Sequence, residues 1–127
     1  MNKISYALTT AALFVSCGLD AKNIHTLEVE AFAETIGQGR LMLVDVRAAE
    51  EYAQGHLEGA VNVDVNQPDF VEQIFHVAED TPVAVYCLRG SRSLRAASLL
   101  AKEGREVYNL AGGITAWKNE GRPITTR

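Results

Sequence analysis

The chain has 127 residues, of which 47% are hydrophobic, so its apolar side chains suffice for one compact core but not for two. Its 12 basic and 16 acidic residues give a net charge of −4, which argues against a basic surface for nucleic acid. The two cysteines lack metal-ligand spacing and the three histidines do not cluster, so the sequence predicts no metal site.

The first 21 residues form a segment of a different kind. Lys3 is the only charged residue before Asp20, and residues 4–15 are apolar or small. A basic residue followed by such a stretch is typical of an export signal, and the stretch is shorter than the roughly 20 apolar residues of a membrane span. We therefore expect residues 1–21 to be an export signal and residues 22–127 to form the domain. The mature protein is then exported, either periplasmic or membrane-anchored.

Cys17 is a candidate lipidation site that would anchor the protein to a membrane. The sequence Phe-Val-Ser-Cys at residues 14–17 resembles a bacterial lipoprotein processing site, although that site usually begins with Leu. Cleavage after Gly18 or Ala21 and a buried first helix are the alternatives. If Cys17 is lipidated or removed, Cys87 is the only free thiol, and no intramolecular disulfide forms.

Strand-type and helix-type segments alternate from residue 23 onwards. Short apolar runs predict strands at residues 24–25, 41–46, 60–65, 83–86 and 106–110. Helical spacing of apolar residues predicts helices at residues 27–36, 48–54, 70–77 and 94–102, and a last helix that holds Trp117. We expect Thr26 to cap the first helix and Ser91 the fourth. The alternation predicts an α/β fold, a single domain with a mainly parallel central sheet and helices on both faces.

The most informative segment is the loop that follows the fourth predicted strand. Cys87 stands where that strand stops, Gly90 allows a sharp turn, and Arg89 and Arg92 add two positive charges. Backbone N–H groups of such a loop can point at one centre, with the positive end of the next helix behind it. These fields favour a thiolate, and the same cradle suits a small anion. A cysteine that packs as a small hydrophobe is the alternative, but it needs neither the glycine nor the arginines.

Four short motifs follow one another within residues 24–124. They are Val-Asp-Val-Arg at 44–47 with Glu-Glu-Tyr at 50–52, Gly-His-Leu-Glu-Gly-Ala-Val-Asn at 55–62, the Cys87 loop, and Leu-Ala-Gly-Gly at 110–113 with Trp117 and Gly-Arg-Pro at 121–123. In this order they resemble the rhodanese family, the sulfurtransferases.

The resemblance implies a rhodanese-like domain in which Cys87 is the catalytic nucleophile. Cys87 would take a sulfur atom from thiosulfate or a related small-molecule donor, and pass it from a persulfide to a thiophilic acceptor such as cyanide or a thiol. The resemblance implies no cofactor or metal, and it names no physiological donor, partner protein or oligomeric state. The net charge predicts no nucleic-acid partner. The implied substrate-binding residues are those of the loop, namely Leu88, Arg89, Gly90, Ser91 and Arg92.

Several charged residues near the loop have predicted roles. Arg92 is expected to bind the sulfonate end of thiosulfate by paired hydrogen bonds. Asp45 lies at the carboxyl end of its strand, on the same edge of the sheet as Cys87, and we expect it to orient arginines rather than act as a base. Arg47 is expected to pair with Glu50 or Glu51. His56 and Trp117 are expected to be structural.

Two other functions remain open from the residues alone. A persulfide carrier with little turnover would need the same cysteine. A phosphatase or arsenate reductase uses a related cradle, but its loop places five residues between Cys and Arg, whereas four separate Cys87 from Arg92 and position 93 is Ser.

Overall fold

The computed structural model describes residues 22–77 and 80–127, so the predicted export signal and Cys17 lie outside the described residues. Within these residues five strands form one parallel sheet in the order β1-β5-β4-β2-β3. The strands are β1 (Ile24–Leu27), β2 (Met42–Asp45), β3 (Val61–Asn62), β4 (Val83–Tyr86) and β5 (Val107–Leu110). Strand β4, which leads into Cys87, is therefore central, with β2 and β5 as its neighbours.

Five helices in the same residues cover both faces of the sheet. They are α1 (Val29–Gly37), α2 (Ala49–Gln54), α3 (Phe70–Val77), α4 (Ser91–Lys102) and α5 (Gly113–Asn119). Helices α3 and α4 pack on one face, where Ile74 and Leu100 are buried in one apolar cluster. Helices α1 and α5 pack on the other face, where Phe32 and Ile114 belong to a second cluster. The predicted α/β domain with a parallel sheet and helices on both faces is confirmed.

Side chains alternate along the buried central strands and so divide between the two clusters. Val85 and Cys87 face α3 and α4, whereas Ala84 and Tyr86 face α1 and α5. On β2, Val44 lies on the Cys87 face, so Asp45 lies on the opposite one. Asp45 and Cys87 therefore share the carboxyl edge of the sheet, as predicted, but lie on different faces.

Three local predictions are wrong. Thr26 lies inside β1 rather than at a helix cap, because it pairs with Asn109 of β5, and helix α1 begins at Val29. Gly90 rather than Ser91 occupies the cap position of α4, so that helix begins three residues before Leu94. The strand predicted at residues 60–65 is reduced to the two residues of β3. Within the described residues no helix is long and apolar enough to cross a membrane.

Candidate active site

The Cys87 sulfur lies directly after the central strand and beneath its own loop. Cys87 as a whole is only 1% exposed. The backbone N–H of Gly90 donates a hydrogen bond to the sulfur at 3.1 Å, and the Ser93 hydroxyl oxygen lies 3.5 Å from it. Gly90 has φ +121°, a conformation that side chains other than glycine rarely adopt, so the turn that aims this N–H depends on glycine.

The surroundings of Cys87 favour its ionised form. Burial by itself raises the pKa of the thiol, as it does for any group that becomes charged away from water. The Ser93 hydroxyl and the backbone N–H groups of Ser93, Gly90 and Arg89 outweigh burial, and the pKa lies below its ordinary value. The loop therefore prepares a buried thiolate with hydrogen-bond donors around it.

Helix α5 fixes the backbone of the loop from the other side of the sheet edge. The N–H groups of Ile114 and Thr115 donate to the carbonyl oxygens of Cys87 and Leu88 at 2.9 and 3.1 Å. A Cβ atom at Gly113 would lie within 2.6 Å of the Cys87 carbonyl oxygen, and closer still to that of Leu88. The sequence predicted a turn at this glycine but not the contact, which only its place in the Leu-Ala-Gly-Gly motif could have suggested.

Arg92 does not stand free beside the sulfur. Its Nη1 and Nη2 atoms bind Glu51 Oε1 and Oε2 at 2.7 and 3.0 Å, the two-pronged geometry typical of arginine with a carboxylate. These hydrogen bonds lower the pKa of Glu51 to about 2, and Glu51 also accepts the backbone N–H of Ala48 at 3.1 Å. The Arg92 guanidinium, which we expected to bind an anionic donor, is therefore already paired with the Glu51 carboxylate.

Asp45 and Arg47 form a buried pair on the opposite face of the sheet. Arg47 Nη2 donates to Asp45 Oδ2 and to the Gly55 carbonyl oxygen, both at 2.7 Å, and Arg47 is 5% exposed. The predicted pairing of Arg47 with Glu50 or Glu51 is wrong, because its nearer partner is Asp45, two residues away. Burial and the Asp45 charge raise the pKa of the Tyr86 hydroxyl, which accepts the N–H of Leu57 at 3.0 Å. This network holds the segment after α2 against the sheet.

The remaining singled-out residues have structural contacts. His56 is 2% exposed and stacks on Tyr52 with ring centroids 3.7 Å apart, and its ring nitrogens lie 2.8 Å from the carbonyl oxygens of Tyr52 and Arg127. Trp117 is 7% exposed, and its indole N–H donates to the Pro123 carbonyl oxygen at 2.9 Å. Both residues therefore bind the C-terminal segment to the domain.

The outer side of the loop is open to solvent. Leu88, Arg89 and Ser91 are exposed, as is Leu94 one turn into α4. The loop thus brings Cys87, Gly90 and Ser93 together at its centre and presents Leu88, Arg89 and Ser91 outside. Ser93 is fully buried beside the sulfur, and sequence reasoning missed it.

The fold and the site together are those of a parallel α/β domain with a thiol of lowered pKa in the loop after its central strand. The chain is a member of the Rhodanese-like domain family, whose model matches residues 28–120. The four motifs found in the sequence lie almost entirely within that match.

Similarity to known proteins supports the assignment of this chain to the family. Uncharacterized protein YqhL of Bacillus subtilis is 39% identical over 93 residues, which cover 72% of this chain and 71% of YqhL. The tRNA uridine(34) hydroxylase of Acinetobacter baylyi is 35% identical over 101 residues, 76% of this chain but 32% of the hydroxylase. The chain thus spans about a third of the length of that relative. The crystal structure of a rhodanese-related protein from Thermoplasma volcanium aligns with a TM-score of 0.72 at 25% identity, covering 81% of this chain and 99% of that one.

Proposed function

We propose that this protein is a sulfurtransferase that moves a sulfane sulfur from thiosulfate or a related donor to a thiophilic acceptor through a persulfide on Cys87. The observation that carries the proposal is a thiol with a lowered pKa, enclosed by the N–H groups of its own loop. The proposal rests on this loop and not on the activity named for the longer hydroxylase, of which the chain covers about a third.

The reaction takes two displacements at sulfur. The Cys87 thiolate attacks the outer sulfur of thiosulfate, the S–S bond of the donor breaks, and its electron pair leaves with sulfite. The acceptor then attacks the outer sulfur of the persulfide, and the electron pair of that S–S bond returns to Cys87. Charge lies on sulfur in both states, so donors that face the loop centre stabilise each of them.

Two rivals are separated from this proposal by observation and by experiment. A phosphatase needs a guanidinium for its phosphoryl oxygens, and the Glu51 carboxylate that binds Arg92 weighs against that role. A persulfide carrier would use the same thiol but with little turnover. With excess thiosulfate and cyanide, we expect many thiocyanate molecules per protein, whereas a carrier would release about one equivalent and little more in the same time.

We also propose that the chain is exported and lipidated at Cys17, on the basis of Lys3 and the uncharged residues 4–15. Fractionated cells should contain the protein outside the cytoplasm, with a mature N-terminus at Cys17. Cys17→Ser should abolish labelling by a fatty-acid probe. Full-length protein that keeps Met1 in the cytosolic fraction would exclude export.

A further inference from the structure

The Arg92–Glu51 pair makes the flank of the Cys87 loop electrically neutral. Two parallel hydrogen bonds join the guanidinium to the carboxylate, at 2.7 and 3.0 Å. The carboxylate is held in place by a third contact, from the backbone N–H of Ala48. Since the pKa of Glu51 is lowered to about 2, this negative charge persists at every pH at which Cys87 is a useful nucleophile.

Other charges near the loop do not restore a strong positive field. The negative charges of Cys87 and Asp64 also act on Arg92 and, like Glu51, raise its pKa. Arg89 is exposed, so water and salt screen its charge. A dianion such as thiosulfate, and the sulfite dianion that leaves it, would meet little uncompensated positive charge beside the sulfur.

We propose that Glu51 determines donor specificity: by neutralising Arg92 it makes the Cys87 site favour organic hydropersulfides, which react in their uncharged form R–S–SH, over the thiosulfate dianion. This inference rests on the proposed sulfurtransferase function and narrows its donor class. Glu51 acts through Arg92 and does not touch the reacting atoms.

The favoured step is a single balanced displacement. The Cys87 thiolate attacks the terminal sulfur of R–S–SH, a new S–S bond forms, and the S–S bond of the donor breaks. The electron pair leaves with the thiolate R–S⁻, and Cys87 keeps the terminal sulfur and its proton as a hydropersulfide. The total charge stays at −1, with no separate oxidant or reductant, and no dianion forms.

The test measures single-turnover sulfur loading of Cys87 by intact mass spectrometry, with thiosulfate and with cysteine hydropersulfide as probes. Glu51→Gln removes the charge but keeps an oxygen acceptor for the Ala48 N–H. We expect its rate constant for loading by thiosulfate to rise about tenfold, because one negative charge beside a dianion is gone. Loading by cysteine hydropersulfide should change less than about twofold, since the form that the thiolate attacks, R–S–SH, carries no charge on its sulfur atoms. Glu50→Gln, an exposed change on the same helix, is the matched control and should alter neither rate.

A second measurement needs no variant and so does not depend on how a variant folds. In the wild-type protein, sodium chloride should slow loading by thiosulfate by less than about twofold, because a neutral site attracts a dianion only weakly. Steep slowing by salt, equal effects of Glu51→Gln on both donors, or no rise with thiosulfate would each overturn the role of Glu51. Failure of the wild-type protein to gain sulfur from either donor would instead overturn the proposed function, and this inference with it.

Discussion

Ser93 is placed to serve Cys87 in both protonation states. Its hydroxyl lies 3.5 Å from the sulfur and 3.2 Å from the Gly90 carbonyl oxygen. When Cys87 is a thiol, its S–H can donate to Ser93 while the hydroxyl donates to Gly90. When Cys87 is a thiolate, the hydroxyl turns and donates to sulfur, which stabilises the negative charge.

Ser93→Ala should therefore raise the pKa of Cys87. Burial disfavours the thiolate, and the variant lacks one of the hydrogen-bond donors that counteract burial. The rate of sulfur loading rises with pH as the thiolate forms, and its midpoint in the wild-type protein should lie below the value of about 8.5 for a free thiol. In the variant the midpoint should move to higher pH and the rate at neutral pH should fall. Ser98→Ala on the same helix is the control. An unchanged midpoint in Ser93→Ala would show that the Ser93 hydroxyl does not stabilise the Cys87 thiolate.

Asp45→Asn should destabilise the domain without touching the thiol. The change leaves the Arg47 guanidinium buried without its carboxylate, which costs about 3–5 kcal/mol for pairs of this kind. Glu58→Gln, which breaks an exposed pair with Arg127 at 3.5 Å, should cost less than about 1 kcal/mol. Urea unfolding measures the loss of unfolding free energy in both variants. Equal losses would show that the buried Asp45–Arg47 pair stabilises the domain no more than an exposed pair does.

At the scale of elements, the first residues of α5 act as a brace for the Cys87 loop. Two of its N–H groups bind loop carbonyl oxygens, and Gly113 lets the helix approach the backbone closely. The loop is thus shaped by a helix that begins 26 residues after Cys87, as the sequence positions show.

Gly113→Ala should cost more stability than Gly104→Ala. Both glycines have positive φ, +64° and +87°, so each alanine brings backbone strain of about 1–2 kcal/mol. Only the Gly113 side chain would also meet the loop backbone, whereas nothing lies within 4 Å of the Gly104 position. We expect Gly113→Ala to lose roughly 3 kcal/mol or more and to slow sulfur loading. Equal losses of unfolding free energy in urea, with unchanged loading, would contradict the brace.

The elements that the sequence predicted best are those with buried apolar runs. Strand β4 was predicted at its observed bounds because all four of its residues are buried, and β-branched residues alternate with small or aromatic ones. Thr26 was misassigned because its strand exists only through pairing with β5, far along the chain. The Arg92–Glu51 pair joins residues 41 apart, and local charge spacing favoured Arg47 as the partner instead. Contacts of this kind depend on how α2 packs, which no local pattern encodes.

At the scale of the whole molecule, topology explains why one cysteine can carry the function. Strand β4 is the middle strand of the five and has a hydrogen-bonded neighbour on each side, so the Cys87 loop starts from the centre of the sheet. In parallel α/β sheets ligands bind outside the carboxyl ends of the strands, where loops of different length meet. The sheet supports the thiol on one side through β4, and the loop, held by α5, encloses it on the other.

The most direct measurement of the central claim is intact mass spectrometry of the protein treated with excess thiosulfate and then with cyanide. The wild-type protein should gain one sulfur atom and lose it again, because the Cys87 thiolate is the only group in residues 22–127 equipped to hold a persulfide. Cys87→Ser is nearly isosteric and should fold normally, yet a hydroxyl is too weak a nucleophile at neutral pH to take the sulfur. A sulfur atom gained by Cys87→Ser as fast as by the wild-type protein would contradict the account.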